Sequence, residues 1–284
     1  WQRRNCRVIG KGRDMKFSQL NEYADGNILA GVVDATGHIV INNPERHNAV
    51  SMAMYEAAAE QVSAMASDDD VRLLMIRGAG GKAFASGADI SKFEKERNSE
   101  AQVAAYQAAT AKFYSSVFNF PKPTIAYIQG YCIGGGMALA VACDLRICED
   151  KSRFAVPAAK LGLGYGFEGV SRLNALVGPA MVKEIFFTAR QFSAQEAYDM
   201  GLVNRVLPAH MLASYAADYS RRIAENAPMT MGSIKAITQD LQKPSAERDL
   251  DKLAEMVKAC FDSEDYIEGR RAFMEKRKPQ FKGR

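Results

Sequence analysis

The sequence predicts an α/β chain, and three observations carry that prediction. Short β-branched and apolar runs recur, at Ile28–Val33, Leu73–Ile76 and Thr124–Ile128, each long enough for a buried strand and too short for a core helix. Two of these lead into glycine-rich turns, at 78–88 and 134–136. From His210 onward the apolar spacing changes to that of helices.

Taken in order, residues 1–14 hold Arg3, Arg4, Arg7, Lys11 and Arg13 against Asp14, which accounts for the whole formal charge of +4. They lack periodicity and an apolar stretch. They are expected to form a poorly ordered basic tail: either extra sequence ahead of a natural start at Met15, which is favoured, or part of a transit peptide. Ile28–Val33 and His38–Ile41 read as two strands joined by the turn Asp34-Ala35-Thr36-Gly37. The loop Asn42–Asn48 follows, and Ser51 is placed to cap a helix over 52–66. His47 in that loop has an imidazole suited to proton transfer, but it reads first as a solvated loop residue.

A strand over 71–77 runs into RGAGGKAFASGADI, where small residues at 85–88 leave the backbone open. Charged Lys92–Ser99 precedes a helix over Ala101–Phe118. After Pro121 and Pro123 comes the strand Thr124–Ile128, then Gly134-Gly135-Gly136, then Met137–Cys143, small and apolar throughout as a helix buried on all sides would be. Backbone N–H groups at the start of such a helix have no intrahelical acceptor and suit an anion or an oxygen gaining negative charge. Two bare segments, each after a buried strand, have the makings of an oxyanion hole.

Leu145–Cys148 is the next strand, with Asp144 before it as a structural carboxylate. Phe154–Val170 reads as a pocket-lining loop, and a helix over 168–177 follows. Gly178-Pro179 opens a helix through Phe187, Ser193 caps 194–200, and Leu202–Val206 is a strand. Helices are expected at 210–226, 229–241, 246–262 and 264–277. The domain division is a core over 15–209 and a helical region over 210–284.

Composition excludes several function classes. Beyond the tail the net charge is zero, so no nucleic-acid face is implied. No run is long enough for a membrane span. The five cysteines, odd in number and without repeated spacing, argue for a reducing compartment and against a disulfide scaffold. Cys143 and Cys148 have no zinc-spaced partners, so no metal is expected. The compartment expected is the cytoplasm, or the mitochondrial matrix in a eukaryote.

KAFASGADI followed by IQGYCIGGGMALAVACDLRI strongly resembles the enoyl-CoA hydratase/isomerase (crotonase) superfamily. So do FSAQEAYDMGLVNRVLP at 192–208 and RRAFMEKRKPQFK at 271–282. The resemblance implies a spiral of ββα units and a C-terminal helical oligomerisation region, assembled as a homotrimer or homohexamer. It implies an acyl-CoA thioester as substrate, no cofactor beyond that coenzyme A, and a thioester oxygen held by the N–H groups of Ala88 and Gly135. It lays Arg46 and His47 along the pantetheine, with Ser86, Ala88, Asp89 and Ile90 also along coenzyme A, and Asp89 bracing the oxyanion loop. Phe273 and Lys276 match the aromatic and lysine that hold adenine and phosphates, often from an adjacent subunit. One branch of the superfamily binds RNA through a lysine-rich helix; Ala101–Phe118 has one lysine, Lys112.

The catalytic pattern departs from the family at two places. Hydratases of the family use two glutamates, and Ala138 and Ala158 occupy those positions here. Losing one positioned acid or base typically costs about 10²–10⁴ in rate. Glu168, in the same pocket loop, is the replacement candidate: a carboxylate among aromatics and glycines would be partly desolvated. It would also serve simply to favour a helix dipole. The expected label is enoyl-CoA hydratase. Isomerisation, thioester hydrolysis, decarboxylation and non-catalytic acyl-CoA binding stay open.

Overall fold

The structure, a computed structural model, describes residues 19–88 and 99–284. The basic tail, Asp89 and Ile90 lie outside the described residues.

Strands alternate between two sheets. The larger has seven strands: β1 (Asn21–Tyr23), β2 (Ile28–Val33), β3 (Thr36–Ile41), β4 (Leu73–Gly78), β6 (Thr124–Ile128), β8 (Leu145–Glu149) and β11 (Arg205–Leu207), neighbouring in that order. The smaller sheet runs β10 (Phe192–Ser193), β9 (Arg153–Ala155), β7 (Tyr131–Ile133), β5 (Ala83–Ala85). Three successive large-sheet strands, β4, β6 and β8, each feed a small-sheet strand and then a helix: β4-β5-α2, β6-β7-α3 and β8-β9-α4. Here α1 is Met52–Ala66, α2 Glu100–Phe118, α3 Gly135–Ala142 and α4 Phe167–Thr188. That is the expected spiral of ββα units. Strands β3 to β8 pair in parallel, and β3, β4 and β6 are buried along their whole length, as strands covered on both faces must be.

The core lies between the sheets and α1, α2 and α3, around Phe84, Phe113, Phe120 and Phe154, all fully buried. Helix α3 is buried from Gly136 to Ala142. Its small side chains let it pass close to β5: a Cβ on Gly136 would meet the Ala85 carbonyl oxygen at 2.1 Å, so only glycine fits.

Several boundaries moved for local reasons. The hairpin between β2 and β3 turns on Asp34 and Ala35 alone, both at positive φ, so β3 begins at Thr36. The span α4 is the expected pair of helices meeting at Gly178, whose φ of 75° and ψ of 166° are not helical; its start moved one residue earlier, to Phe167. Leu202 and Val203 are buried, but their N–H groups go to the Ala197 carbonyl and close α5 (Ala194–Asp199). The strand therefore waits until Arg205. The small-sheet strands were not foreseen, because two or three residues carry no periodicity.

From Ala209 the described chain is helical: α6 (Ala209–Ala224), α7 (Pro228–Asp240), α8 (Leu250–Asp262) and α9 (Glu264–Met274). Helix α8 starts four residues later than expected because Asp249 caps it, accepting from Lys252 N at 3.1 Å. Among the described residues no helix is long and apolar enough to cross a membrane.

Candidate active site

Strands β5 and β7 are parallel neighbours, so the segments that leave their C-terminal ends lie side by side. These are Ser86-Gly87-Ala88 and Gly134-Gly135-Gly136. Gly87 and Gly134 take positive φ, 94° and 55°. A Cβ on Gly135 would sit 3.2 Å from Gly87 Cα, and a Cβ on Gly87 would sit 3.1 Å from Gly135 N. The two bare backbones are thus in contact, and Ala88 and Gly135 are both half-buried.

Each segment presents an amide. Gly135 is the first residue of α3, so its N–H has no acceptor within the helix. The carbonyl of the same peptide, on Gly134, accepts from Ala138 N at 3.1 Å. On the other arm the Gly87 carbonyl accepts from Val50 N at 2.9 Å, and Val50 bridges Ala88. A trans peptide points its N–H away from its carbonyl. Anchoring both carbonyls therefore fixes the directions of the Ala88 and Gly135 N–H groups.

Three tyrosines back this turn. Tyr114 Oη donates to the Gly135 carbonyl at 2.9 Å and lies 3.3 Å from Tyr55 Oη. Tyr165 Oη donates to the Gly134 carbonyl at 3.3 Å. Burial raises the Tyr55, Tyr114 and Tyr165 phenols above their ordinary value, so each stays protonated. Tyr55 and Tyr114 sit at core positions of α1 and α2, where the helical spacing marks them only as core. The available signal was chemical: a buried phenol needs a partner.

Ala138 and Ala158 are nearly buried, at 8% and 7% exposure, and bring no acid to the site. Glu168 lies in the first turn of α4, its side chain 70% exposed and 3.3 Å from Arg172 Nη2. The expectation of a partly desolvated carboxylate is corrected here. Adjacent Phe167 is 86% exposed and does not shield it. Instead Glu168 borders an open cavity of about 540 Å³ with Phe118, Arg172, Gln239 and Lys252.

Among the coenzyme A candidates, the fold brings Arg46, Ser86 and Ala88 together. Ser86 Oγ donates to the Arg46 carbonyl at 3.4 Å. His47 takes a left-handed conformation and meets the Tyr131 ring edge-on at 6.0 Å. Fully buried Asn48 ties this loop to β5 through the Ala83 carbonyl at 2.6 Å. Phe273 and Lys276 lie elsewhere: Phe273 is 83% exposed beside a cavity of about 960 Å³ lined by α7, α8 and α9, and Lys276 is exposed just past α9. Among the described residues no backbone or side-chain hydrogen bond joins either to the glycine segments.

Asp144 is structural, as expected. Its Oδ2 accepts from Thr124 N, Thr124 Oγ1 and Lys235 Nζ at 2.8, 2.9 and 2.8 Å. Among the described residues no group of three or more His, Cys, Asp and Glu side chains is arranged for a metal.

The family described as Enoyl-CoA hydratase/isomerase matches residues 32–284. The crotonyl-CoA hydratase of Syntrophomonas wolfei is 33% identical, covering 90% of this chain and 97% of that protein. The carnitinyl-CoA dehydratase of Salmonella arizonae is 34% identical, over 86% of this chain and 94% of that one. The crystal structure of an enoyl-CoA hydratase/carnithine racemase from Magnetospirillum magneticum superimposes with a TM-score of 0.85 at 34% identity. It covers 91% of this chain and 96% of its own.

Proposed function

The chain belongs to the enoyl-CoA hydratase/isomerase family, and from that membership we propose that it acts on an acyl-CoA thioester through an enolate held by the N–H groups of Ala88 and Gly135. It is an acyl-CoA enzyme of the enoyl-CoA hydratase type. The finer assignment is water addition to a 2-enoyl-CoA. The observation that carries the enolate chemistry is the contact of the two glycine segments, with both peptide carbonyls anchored behind them; water addition in particular is favoured by the likeness to hydratases. Charge developing on a thioester oxygen is stabilised there by donors already oriented before the reaction, a contribution that often reaches about 3–4 kcal/mol per donor.

Coenzyme A runs past Arg46, His47, Ser86 and Ala88 in this reading, with Asp89 and Ile90, next in the sequence, also proposed to meet it. Phe273 and Lys276 meet its adenine end across a subunit boundary, in a homotrimer or homohexamer. Exposed Phe261, Phe273 and Met274 on the C-terminal helices support such an assembly. Glu168, the single carboxylate between residues 154 and 170, is the candidate for the proton transfers in this reading, and it would have to turn from Arg172 to reach the substrate.

A second reading rests on Ala138 and Ala158. Without the two family carboxylates, the site would run a different enolate reaction (isomerisation, thioester hydrolysis or decarboxylation) or bind acyl-CoA without turnover. The loss of ultraviolet absorbance of crotonyl-CoA separates these readings. Rapid loss supports hydration. No loss, with the CoA ester bound, removes hydration. A panel of β,γ-enoyl, malonyl-type and hydrolysable thioesters then distinguishes another enolate reaction from binding alone.

A further inference from the structure

The peptide joining Gly134 to Gly135 carries the candidate oxyanion donor at one end and a doubly bonded carbonyl at the other. That carbonyl accepts from Ala138 N at 3.1 Å, which any helix start would supply, and from Tyr165 Oη at 3.3 Å, which it would not. A hydrogen bond to an amide oxygen draws electron density toward it and leaves the N–H of the same amide a stronger donor. Such cooperative strengthening is of order 10–30% per bond. The Gly87 carbonyl on the opposite arm has a backbone partner, Val50 N, so the side-chain contribution falls on the Gly135 arm.

Tyr165 is held for this task. Leu161, Leu163 and Phe167 around it face solvent, whereas Tyr165 turns inward and packs edge-on against Phe186 at 4.9 Å. Burial keeps its phenol protonated, so it acts as a donor and not as a base. Tyr114 plays a different part. Its acceptor is the Gly135 carbonyl, which belongs to the next amide, and that amide's N–H is on Gly136.

We propose that Tyr165 is a positioning residue whose hydroxyl, acting through the Gly134 carbonyl, aims and strengthens the Gly135 N–H toward the thioester oxygen. The inference rests on the acyl-CoA reading above. It accounts for a tyrosine in an otherwise open, glycine-rich loop, and it places that tyrosine one amide away from the reacting oxygen.

The test is the infrared carbonyl stretch of butyryl-CoA, ¹³C-labelled at the thioester carbon and bound to the full chain. A saturated ester has no double bond to hydrate or shift, and a spectrum recorded before any free coenzyme A appears reports the oxyanion hole alone. In the unaltered protein the bound carbonyl is expected below its free-solution frequency. Tyr165→Phe keeps the ring against Phe186. It is expected to return the bound carbonyl part of the way to its free frequency, change the butyryl-CoA dissociation constant less than about twofold, and lower kcat for crotonyl-CoA about three- to tenfold with KM nearly unchanged. Replacement of Tyr165 by 3-fluorotyrosine, a stronger donor of nearly the same shape, should deepen the shift. It decides the matter if the phenylalanine variant does not fold. A bound carbonyl unmoved by both replacements overturns the proposal. Loss of binding in step with loss of the shift also overturns it, since that marks a structural residue. Failure of the unaltered protein to bind butyryl-CoA overturns the acyl-CoA reading itself, and the proposal with it.

Discussion

The Tyr114 hydroxyl donates to the Gly135 carbonyl at 2.9 Å and stands 3.3 Å from the Tyr55 hydroxyl, linking α1 and α2 to the first residue of α3. Three elements distant in sequence meet at one peptide. Tyr114→Phe is expected to cost about 1–2 kcal/mol, the usual loss when a buried polar group gives up its partner. Because Tyr55 shares that hydroxyl, Tyr55→Phe and Tyr114→Phe should be non-additive by at least about 0.5 kcal/mol in urea denaturation. Strictly additive losses would show that the two phenols act separately.

Glu168 pairs with Arg172 in an exposed setting, so Glu168→Gln should shift stability by less than about 0.5 kcal/mol. Turnover is expected to fall while CoA-ester affinity holds. Unchanged turnover in that variant removes Glu168 from the mechanism.

His38 on β3 is 3% exposed, and burial, with Arg77 nearby, lowers its pKa to about 4 despite Asp34. The unfolded chain, with an ordinary histidine near 6.5, therefore binds more protons between pH 6.5 and 4. Stability from this group is full above that window and declines as pH falls through it. Between pH 7 and pH 5 the loss should be about 2 kcal/mol. Urea denaturation of the unaltered chain and of His38→Gln at both values measures it. An equal pH response in both would mean the loss arises from other groups.

Asp144 accepts three hydrogen bonds, one from Lys235, whose side chain is 9% exposed. Asp144→Ala leaves that ammonium with the Lys122 carbonyl at 3.1 Å and no counter-charge among the described residues. The expected cost is about 3 kcal/mol. Adding Lys235→Met should recover part of it, measured by the same denaturation. A double variant no more stable than Asp144→Ala would argue that the loss comes from Thr124 instead.

Much of this was legible in the chain. Ile28–Val33 and Thr124–Ile128 announced themselves as strands because they are continuous, β-branched and punctuated. Ser193 caps its helix as its position implies, and the structure adds Glu196, three residues on, to complete a capping box. The strands Ala83–Ala85 and Tyr131–Ile133 did not announce themselves, since pairing between distant segments, and not local propensity, makes them strands. Glu168 was misjudged in its surroundings for a related reason. Whether nearby aromatics shield a carboxylate depends on which way the loop turns them, and Phe167 turns outward.

The sequence by itself determined the family, the alternation of buried strands with glycine turns, and the absence of carboxylates at 138 and 158. These follow from residue type and spacing, which need no third dimension. Tertiary structure alone decided that Gly87 and Gly135 touch, that Tyr55 and Tyr114 meet across 59 residues, and that Tyr165 reaches the Gly134 carbonyl. Hydrogen bonds at these distances depend on ångström placement of segments brought together by the parallel pairing of β5 with β7, and no local pattern in the chain encodes that placement.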